Sequence, residues 1–324
     1  MDTKRALLVG IDSYDHMTPL TGCVADALAM CKLLECHDDG SPNYECRVLT
    51  SADGPPVTRQ CLRAKWHELF DNFDGHAFFH FSGHGTPTKA GGVIVTQEGI
   101  RGDPGLSMEE LVALASRSKA KTLLLVIDCC YSGGTGDPPI LQAGNGGQGQ
   151  TLLREGMTIL AASRSTEVAR EMGGQGVFTQ LILGALSGGA ADVRGRVSAA
   201  SIYAYVEQAL GSWEQRPMYK SYADRLPPVR LCKPSVPDSL LRELPKLFTA
   251  ETSSFYLAPS YESTHPTARS SHVSLFKKFK MLRNAHLLTT QSGKDLYFIA
   301  LESGWVKLTP LGQFYWNLAA KRLV

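Results

Sequence analysis

The chain has 324 residues, of which 43% are hydrophobic and 20% are charged, proportions typical of a globular protein. Lys and Arg total 33 while Asp and Glu total 31, so the formal net charge is only +2. This balance excludes an acidic or basic polyelectrolyte and, for the chain as a whole, a strong nucleic-acid binder. The longest aliphatic run, Leu123–Ile127, is far shorter than the roughly 18–20 residues of a membrane span, so no membrane segment is expected.

The cysteines and the N-terminal residues indicate the cellular compartment of the protein. Eight cysteines are scattered through the chain, and none forms a pair at the CxxC spacing typical of zinc sites. The apolar stretch after Lys4 and Arg5 ends at Asp12, which favours a buried first strand over a signal peptide. We therefore expect a cytoplasmic protein with reduced thiols and no disulfide scaffold.

Strand-like and helix-like segments alternate along the first two thirds of the chain. Apolar, β-branched runs predict six strands, at Arg5–Ile11, Glu45–Thr50, His76–Ser82, Gly92–Thr96, Lys121–Asp128 and Met157–Ser163. Helical spacing predicts helices at Cys23–Leu34, Val57–Phe73, Ser107–Ser116, Phe178–Leu186 and Ser198–Leu210. Pro227–Cys232 is a candidate last strand. This order predicts an α/β fold with a mostly parallel sheet of about six strands flanked by helices.

A composition change marks a second domain. The segment Lys233–Asp238 reads as a linker, and residues 239–324 then carry 11 basic against 5 acidic side chains, a local charge of +6. Predicted elements there are a helix over Val273–Leu287, strands over Asp295–Leu301 and Trp305–Leu308, and a helix from Thr309 as N-cap with Pro310 at its first position. Helix, β-ribbon and helix together resemble a winged helix. The predicted domains are therefore residues 1–235 and a small α+β domain at 239–324.

Two strand ends carry residues that suit nucleophilic catalysis. His84 stands between glycines after one predicted strand, and Cys130 precedes a glycine turn after another. Chemistry in an α/β sheet lies at the carboxyl ends of strands, and an imidazole close to a thiol can take its proton. The alternative is a buried cysteine that acts as a small hydrophobe and a histidine that is only a surface residue. His76, His80 and His84 have a four-residue spacing, but their segment alternates like a strand, so no metal site is expected.

These motifs resemble those of a known family. Phe79–Gly85 and Asp128–Gly133 are similar to the histidine and cysteine motifs of caspase-like cysteine proteases. The opening, Arg5–Asp12 followed by Leu20–Ala27, resembles that of the metacaspase and orthocaspase branch. Further on, Ile159–Ser163 and Gly176–Thr179 resemble the small-subunit half, so the likeness spans about residues 4 to 233.

The resemblance implies a fold, an activity and a set of site residues. It implies a cysteine endopeptidase in which His84 is the general acid and base, Cys130 is the nucleophile, and the N–H groups of Gly85 and Cys130 form the oxyanion hole. Cys129 would then point into the sheet.

The resemblance also implies a substrate pocket. Cys23, Asp26, Ser82 and Asp128 match the four positions that form the primary pocket of metacaspases. Two carboxylates would repel an acidic side chain and attract Arg or Lys, and a bidentate contact favours Arg. The alternative roles are that Asp26 caps its helix and Asp128 ends its strand.

Many metacaspases require calcium, and the corresponding acidic segment here is incomplete. Glu98, Asp103, Glu109 and Glu110 lie in this segment, Met108 replaces one of a pair of aspartates, and Asp137 matches a ligand position after the nucleophile. A solvated acidic loop explains the same residues, so we expect no required cofactor and disfavour calcium.

The segment 133–156 is rich in Gly and Gln near its start and lies where the family carries its activation loop. Arg154 fits a basic specificity and is the candidate autoprocessing site, by the chain itself or by an upstream protease, although a plain surface loop is the alternative. Bacterial relatives suggest a signalling or antiviral defence cascade.

The basic tail leaves two functions open. The preferred one is a module that recruits protein substrates; DNA binding through Lys277, Lys278, Lys280 and Arg283 is less favoured. The alternative for the whole protein is a catalytically idle caspase-like scaffold that acts as a winged-helix DNA-binding regulator.

Overall fold

The computed structural model describes residues 2–88, 91–131, 153–162, 171–172, 175–210, 217–224 and 227–324, with only the backbone at Cys130, Tyr131, Glu171, Met172 and Gln175. The chain divides into two compact units. The first unit comprises Met1–Ala191 and Arg196–Cys232, and the second comprises Asp192–Gly195 and Lys233–Val324. None of the helices in these described ranges is long and apolar enough to cross a membrane.

The first unit is built from alternating strands and helices. Its strands are β1 Lys4–Gly10, β2 Glu45–Thr50, β3 His76–Thr88, β4 Gly91–Ile100, β5 Asp103–Ser107, β6 Thr122–Tyr131, β7 Met157–Ala161, β8 Glu171–Met172, β9 Gln175–Gly176, β10 Arg196–Val197, β11 Met218–Tyr222 and β12 Arg230–Leu231. Its helices are α1 Cys23–Leu34, α2 Arg59–Phe70, α3 Met108–Arg117, α4 Val177–Gly184 and α5 Ala199–Leu210. A π-helical turn, Ala185–Gly189, continues α4.

Eight strands form one sheet with the order β11-β7-β6-β3-β1-β2, to which β4 and β5 are joined through β3. The pairs β2–β1, β1–β3, β3–β6 and β6–β7 are parallel. The remaining pairs, β11–β7, β3–β4 and β4–β5, are antiparallel. The expected mostly parallel α/β sheet flanked by helices is therefore confirmed, with an antiparallel strand at one edge and an antiparallel pair on β3.

Side chains of the parallel strands alternate between two cores, as the period of two in a strand requires. Leu7 and Val9 of β1 belong to one core, which includes Trp66 of α2 and Leu111 of α3. Ala6 and Leu8 belong to the other, which includes Met30 of α1, Ile182 of α4 and Ile202 of α5. Both faces of the sheet are thus covered, which explains the uniformly apolar strands that the sequence shows.

Several boundaries differ from those predicted. β3 runs well past its predicted end because it pairs with β4, from Gly85 opposite Ile94 to Thr88 opposite Gly91. β4 runs past its own predicted end because it pairs with β5, up to Ile100 opposite Asp103. β11 was not predicted, because its residues Met218–Tyr222 alternate weakly. The candidate strand at Pro227–Cys232 is shorter in the structure, where β12 pairs with β10. Ser107 is the N-cap of α3, since its Oγ accepts the N–H of Glu110 at 3.0 Å.

The second unit contains five helices and three strands within its described residues. They are α6 Asp238–Leu241, α7 Leu244–Leu247, β13 Ser254–Tyr256, α8 Ser270–Asn284, β14 Leu288–Thr290, α9 Leu296–Leu301, β15 Trp305–Leu308 and α10 Pro310–Ala320. The strands form an antiparallel sheet in the order β13-β15-β14. The predicted cap of the last helix is confirmed, because Thr309 Oγ1 accepts the N–H of Gly312 at 3.2 Å.

The predicted strand over Asp295–Leu301 is wrong, because this segment forms helix α9. Asp295 acts as N-cap and accepts the N–H of Tyr297 at 2.9 Å, and the buried Leu296, Ile299 and Ala300 follow helical spacing. The segment is too short for the spacing of its apolar residues to distinguish a helix from a strand. Its aromatic residues are of types that are common in strands. The strands that pair are therefore not the predicted ribbon, and the winged-helix resemblance stays a prediction.

Most of the basic side chains singled out on α8 have acidic partners. Lys278 is paired with Glu243, and Arg283 is paired with Asp295 at 2.6 Å. Lys280 lies 4.0 Å from Glu262 and over the ring of Phe276. Such pairing weakens a continuous positive stripe that would follow a nucleic-acid backbone.

Candidate active site

The two proposed catalytic residues lie on neighbouring parallel strands. His84 of β3 and Cys130 of β6 are Cα partners in the sheet register. Neighbouring strands are about 4.8 Å apart, so residues in register are adjacent in space. Gly85, one residue further along β3, is opposite Tyr131. The preceding residue of β6, Cys129, is buried in a core, as expected from the sequence.

The loop between β1 and α1 holds His84 in place. The backbone N–H of His84 donates to the hydroxyl of Tyr14 at 2.8 Å, and the two rings pack with their centroids 4.8 Å apart. His84 Nε2 is 2.8 Å from the carbonyl oxygen of Thr18. A Cβ at Gly83 would lie 2.7 Å from the Tyr14 hydroxyl, so this approach requires glycine.

Because a carbonyl oxygen only accepts, His84 Nε2 must carry the proton in this contact. The neutral ring then has its lone pair on Nδ1, the nitrogen that remains to accept a proton from a thiol. Burial raises the pKa of the Tyr14 phenol above its ordinary value, so Tyr14 stays neutral and can accept the His84 N–H.

Asp12 fixes the other end of this loop. Its carboxylate accepts the backbone N–H of Cys23 at 2.8 Å and of Val24 at 3.3 Å, the first two residues of α1. Gly22, the N-cap of α1, supplies no side chain, and a carboxylate at a helix N-terminus is stabilised by free N–H groups and the helix dipole. Helix α1 is thereby anchored with Cys23 and Asp26 at its start.

The four residues of the proposed substrate pocket are all buried. Ser82 of β3 and Asp128 of β6 are Cα partners. Ser82 Oγ donates to Asp26 Oδ2 at 2.8 Å, and the Gly176 N–H also bonds to the Asp26 carboxylate. The remaining oxygen, Asp26 Oδ1, is buried without a partner among the described residues.

Asp128 serves as a cap for helix α4. Its Oδ2 accepts the backbone N–H of Thr179 at 3.2 Å and the hydroxyl of Thr179 at 2.7 Å. Gly176 is the N-cap position of this helix, and a Cβ there would lie 2.7 Å from Asp128 Oδ2 and 3.3 Å from Asp26 Oδ2. The absence of a side chain at Gly176 therefore lets the strand-end carboxylate reach the helix.

Burial changes the acidity of three groups around this cluster. Burial, and then the neighbouring charge of Asp128, raises the pKa of Asp26 to about 7. Burial also raises the pKa of Cys23 well above its ordinary value, so that thiol stays protonated. The ring of His80 is fully buried behind Thr179, and burial lowers its pKa to about 4, so it is neutral at pH 7.

The other predicted site residues have different surroundings. Arg154 is half-buried, and its guanidinium donates to the carbonyl oxygens of Ala115, Ala120 and Glu155.

The acidic residues considered for calcium have partners within the protein. Glu98 accepts the backbone N–H of Arg59, Asp103 pairs with the Arg59 side chain, and Glu110 pairs with Arg63. Asp137 lies outside the described residues.

Comparison with known proteins gives the family. Residues 3–226 match the model of the caspase domain. The chain belongs to the caspase domain family. The match supports a cysteine peptidase at the level of the family.

Individual relatives of this caspase domain are distant. Metacaspase-2 and metacaspase-3 of Trypanosoma brucei brucei are each 28% identical over 190 residues, which is 49% of this chain. The chain spans about half the length of these curated relatives, 51% and 50%. A crystal structure of a Geobacter sulfurreducens protein shares the fold, with a TM-score of 0.51 at 15% identity over 71% of this chain and 100% of that one.

Several residues that contact the site residues of the caspase domain were not predicted from the sequence. Tyr14 and Thr18 come from a loop without a recognisable pattern, and Thr18 acts through its backbone. Thr179 stood in the quoted motif Gly176–Thr179 but received no role. His80 was considered only for its spacing from His84, because burial was not visible in the sequence.

Proposed function

We propose that this protein is a cysteine endopeptidase that cleaves protein chains after Arg, and less readily after Lys. The Cys130 thiol gives its proton to His84 Nδ1, and the thiolate attacks the scissile carbonyl carbon. His84 then returns the proton to the departing amine, and the thioester is hydrolysed by a water that His84 deprotonates. The N–H groups of Gly85 and Cys130 are proposed to hold the oxyanion.

The observation that carries the proposal is the sheet register of His84 and Cys130. Residues 46 positions apart in the chain become Cα partners at the same edge of the sheet. The bond from His84 Nε2 to the Thr18 carbonyl adds the third feature of a cysteine–histidine site, a group that orients the base.

The preference for Arg rests on Asp26 and Asp128. Both carboxylates are buried around the Ser82 side chain and the Gly176 backbone, and Asp26 Oδ1 has no partner among the described residues. An arriving guanidinium would bring a positive charge to the pair and donors for Asp26 Oδ1. An aspartate side chain would meet two like charges instead.

The direct test uses fluorogenic peptides that differ only in the residue before the scissile bond, with Arg, Lys, citrulline and Asp compared. Cleavage is expected in the order Arg, Lys, citrulline, with none after Asp, and Cys130→Ala should abolish it. Asp128→Asn keeps much of the helix cap and should raise the KM for the Arg peptide. Full activity of Cys130→Ala, or of Asp128→Asn on Arg peptides, contradicts the proposal.

We also propose that calcium is not required. Three of the four carboxylates in the candidate segment already bind Arg59 or Arg63, which leaves few oxygens for an ion that needs about six. Activity on the Arg peptide should be the same in EGTA and in millimolar calcium. A large activation by calcium would show that ligands outside the described residues complete a site.

For the second unit, we propose recruitment of protein substrates. Its exposed aromatic side chains include Tyr256, Phe298 and Phe314, and aromatic residues are enriched in protein interfaces. The double variant Phe298→Ser with Phe314→Ser should lose cleavage of the natural protein substrate but keep cleavage of a short peptide. Salt-dependent binding of duplex DNA by the full chain would favour the DNA alternative. The cytoplasmic setting in a signalling or defence cascade stays a prediction.

A further inference from the structure

Arg154, the candidate processing site, lies at the opposite end of the sheet from Cys130. It precedes β7, whose first residue, Met157, is the Cα partner of Leu123 near the start of β6. Leu123 precedes Cys130 by seven residues in the same strand, which is about 23 Å at roughly 3.3 Å per residue. The amino ends of these parallel strands therefore hold Arg154, while their carboxyl ends hold the nucleophile.

Hydrogen bonds fix both the side chain and the backbone at this end of the sheet. The Arg154 guanidinium donates to three carbonyl oxygens, and the Arg154 carbonyl oxygen accepts the Met157 N–H at 3.2 Å. The Gly156 N–H donates to the carbonyl oxygen of Tyr222 at 2.7 Å, and the Gly156 carbonyl oxygen accepts the Leu123 N–H at 2.9 Å. The chain is thus anchored on both sides of the bond between residues 154 and 155.

The residues that follow cannot carry Arg154 to Cys130 while β7 stays in the sheet. β7 lies between β6 and β11, and all of its residues are buried. The three steps from Arg154 to Met157 span at most about 10 Å, which is less than half of the separation. Met157 and Ile159 belong to one core and Leu160 to the other, so detaching β7 would open both cores.

Arg154 is also the first basic residue that follows Cys130 in the chain, because residues 131–153 include neither Lys nor Arg. Glu155, on the other side of the bond, is exposed. Arg154 and Glu155 line a surface cavity of about 890 Å³, which Lys121 also lines. The bond after Arg154 is therefore open to another molecule, although it is out of reach of the active centre in its own chain.

We propose that cleavage after Arg154 is intermolecular, so that the active centre of a second copy of this chain cuts the bond. The proposal rests on the proposed cleavage after Arg. The Cys130 thiolate of one molecule forms a thioester with the Arg154 carbonyl carbon of the other, and the Glu155 amine leaves with a proton from His84. Water then hydrolyses the thioester, which frees the thiol and leaves a carboxyl group on Arg154. This route needs only the local release of Arg154, whereas the intramolecular route needs β7 to leave the sheet.

The two routes differ in how the rate of cleavage depends on protein concentration. An intramolecular step gains from a high effective concentration only when the connecting chain can span the two groups. Because the connection between Arg154 and Cys130 is too short, the rate should follow the product of two protein concentrations. Tenfold dilution of the wild type should therefore lengthen the half-time of cleavage about tenfold.

The test follows the intact mass of the full chain over a range of concentrations. The Cys130→Ala chain, labelled with heavy isotopes, is added as a substrate that cannot cut itself. We expect the labelled chain to be cut after Arg154 only when the wild type is present. A half-time that does not change on dilution overturns the proposal. So does a labelled chain that stays intact while the wild type in the same sample is cut, or a preparation that cuts Arg peptides but leaves both chains whole.

Two variants identify the bond that is cut. Arg154→Gln should leave the chain intact at every concentration, because the basic residue before the bond is gone. Arg117→Gln is the matched control, since Arg117 is an exposed arginine at the end of α3, and it should be processed like the wild type. Activity of both variants on the fluorogenic Arg peptide reports that they are folded. The same two fragments from Arg154→Gln would contradict the assignment of the bond, and if this variant does not fold, the dilution and the labelled chain still decide.

Trypsin gives a readout that does not need the activity of this protein, because it also cuts after basic residues. Limited digestion of the Cys130→Ala chain should release the fragment that ends at Arg154. Absence of this fragment while other bonds are cut would overturn access by a second molecule. If the wild type does not cut Arg peptides, the proposed function fails, and the trypsin digest still decides whether another peptidase can reach the bond.

Discussion

His84 donates its Nε2 proton to the carbonyl oxygen of Thr18 at 2.8 Å, and this bond decides which ring nitrogen is free to act as a base. Thr18 lies in the loop between β1 and α1, which Asp12 and Tyr14 tie to the helix and to the histidine strand. The histidine is therefore oriented by a segment 66 residues away in the chain. Variants in that loop should affect catalysis more than substrate binding.

Tyr14→Phe tests this support directly. The ring contact with His84 is kept, but the backbone N–H of His84 loses its acceptor at 2.8 Å. We expect kcat to fall on the order of tenfold with KM nearly unchanged, since one lost hydrogen bond costs about 1–3 kcal/mol. Tyr44→Phe, a buried tyrosine against Phe78 and away from the site, is the control. Equal kinetics of Tyr14→Phe and wild type would refute the role of the hydroxyl.

Asp26→Asn should make the protein more stable at pH 8. The folded pKa of Asp26, about 7, exceeds the ordinary value of 3.8, so the folded state holds this proton more tightly than the unfolded state. Stability from this group is complete below pH 4 and is lost as the pH rises to 7, a cost on the order of 4 kcal/mol at high pH. Urea unfolding at pH 5 and pH 8 should show a gain for Asp26→Asn that is larger at pH 8. No gain at pH 8 would mean that Asp26 is not strained by its burial.

Gly176→Ala should damage the pocket without straining the backbone. The φ of Gly176 is −66°, which alanine adopts readily, but the new Cβ would lie 2.7 Å from Asp128 Oδ2. We expect a loss of about 1–3 kcal/mol in the free energy of unfolding and a marked rise in KM for Arg peptides. Gly184→Ala, at the other end of α4, meets only the end of the Tyr205 side chain at 3.3 Å and serves as the control. The prediction fails if both variants behave alike.

Arg154→Lys separates a structural role from a cleavage role. Lysine is also basic, so the proposed cleavage after this position should persist, but lysine cannot donate to all three carbonyl oxygens that Arg154 binds. We expect a loss of about 1–3 kcal/mol in unfolding free energy, with processing still visible by intact mass. Cleavage after Arg154 requires its guanidinium to leave these carbonyls. Unchanged stability would argue that the contacts contribute little.

The cores and the main elements of the first unit were readable from local patterns. Runs such as Leu123–Ile127 are apolar on both faces because helices cover both sides of the sheet, and this predicts parallel strands. The prediction failed at Asp295–Leu301, where seven residues are too few to show whether the period is helical. It also missed β11, because an edge strand is stabilised by its neighbour β7 rather than by its own composition.

The sequence by itself determined which residue types stand at the strand ends, namely His84 and Cys130 as a base and a thiol, and Asp26 and Asp128 as carboxylates. Only the tertiary structure decided the hydrogen-bond partners of His84 and Asp128 and the raised pKa of Asp26. Those properties depend on burial and on hydrogen bonds with Thr18, Tyr14 and Thr179, which lie on other elements and approach only when the sheet is assembled. Electrostatic free energies depend on distance and on exclusion of water, and neither is encoded in the spacing of residues along a chain.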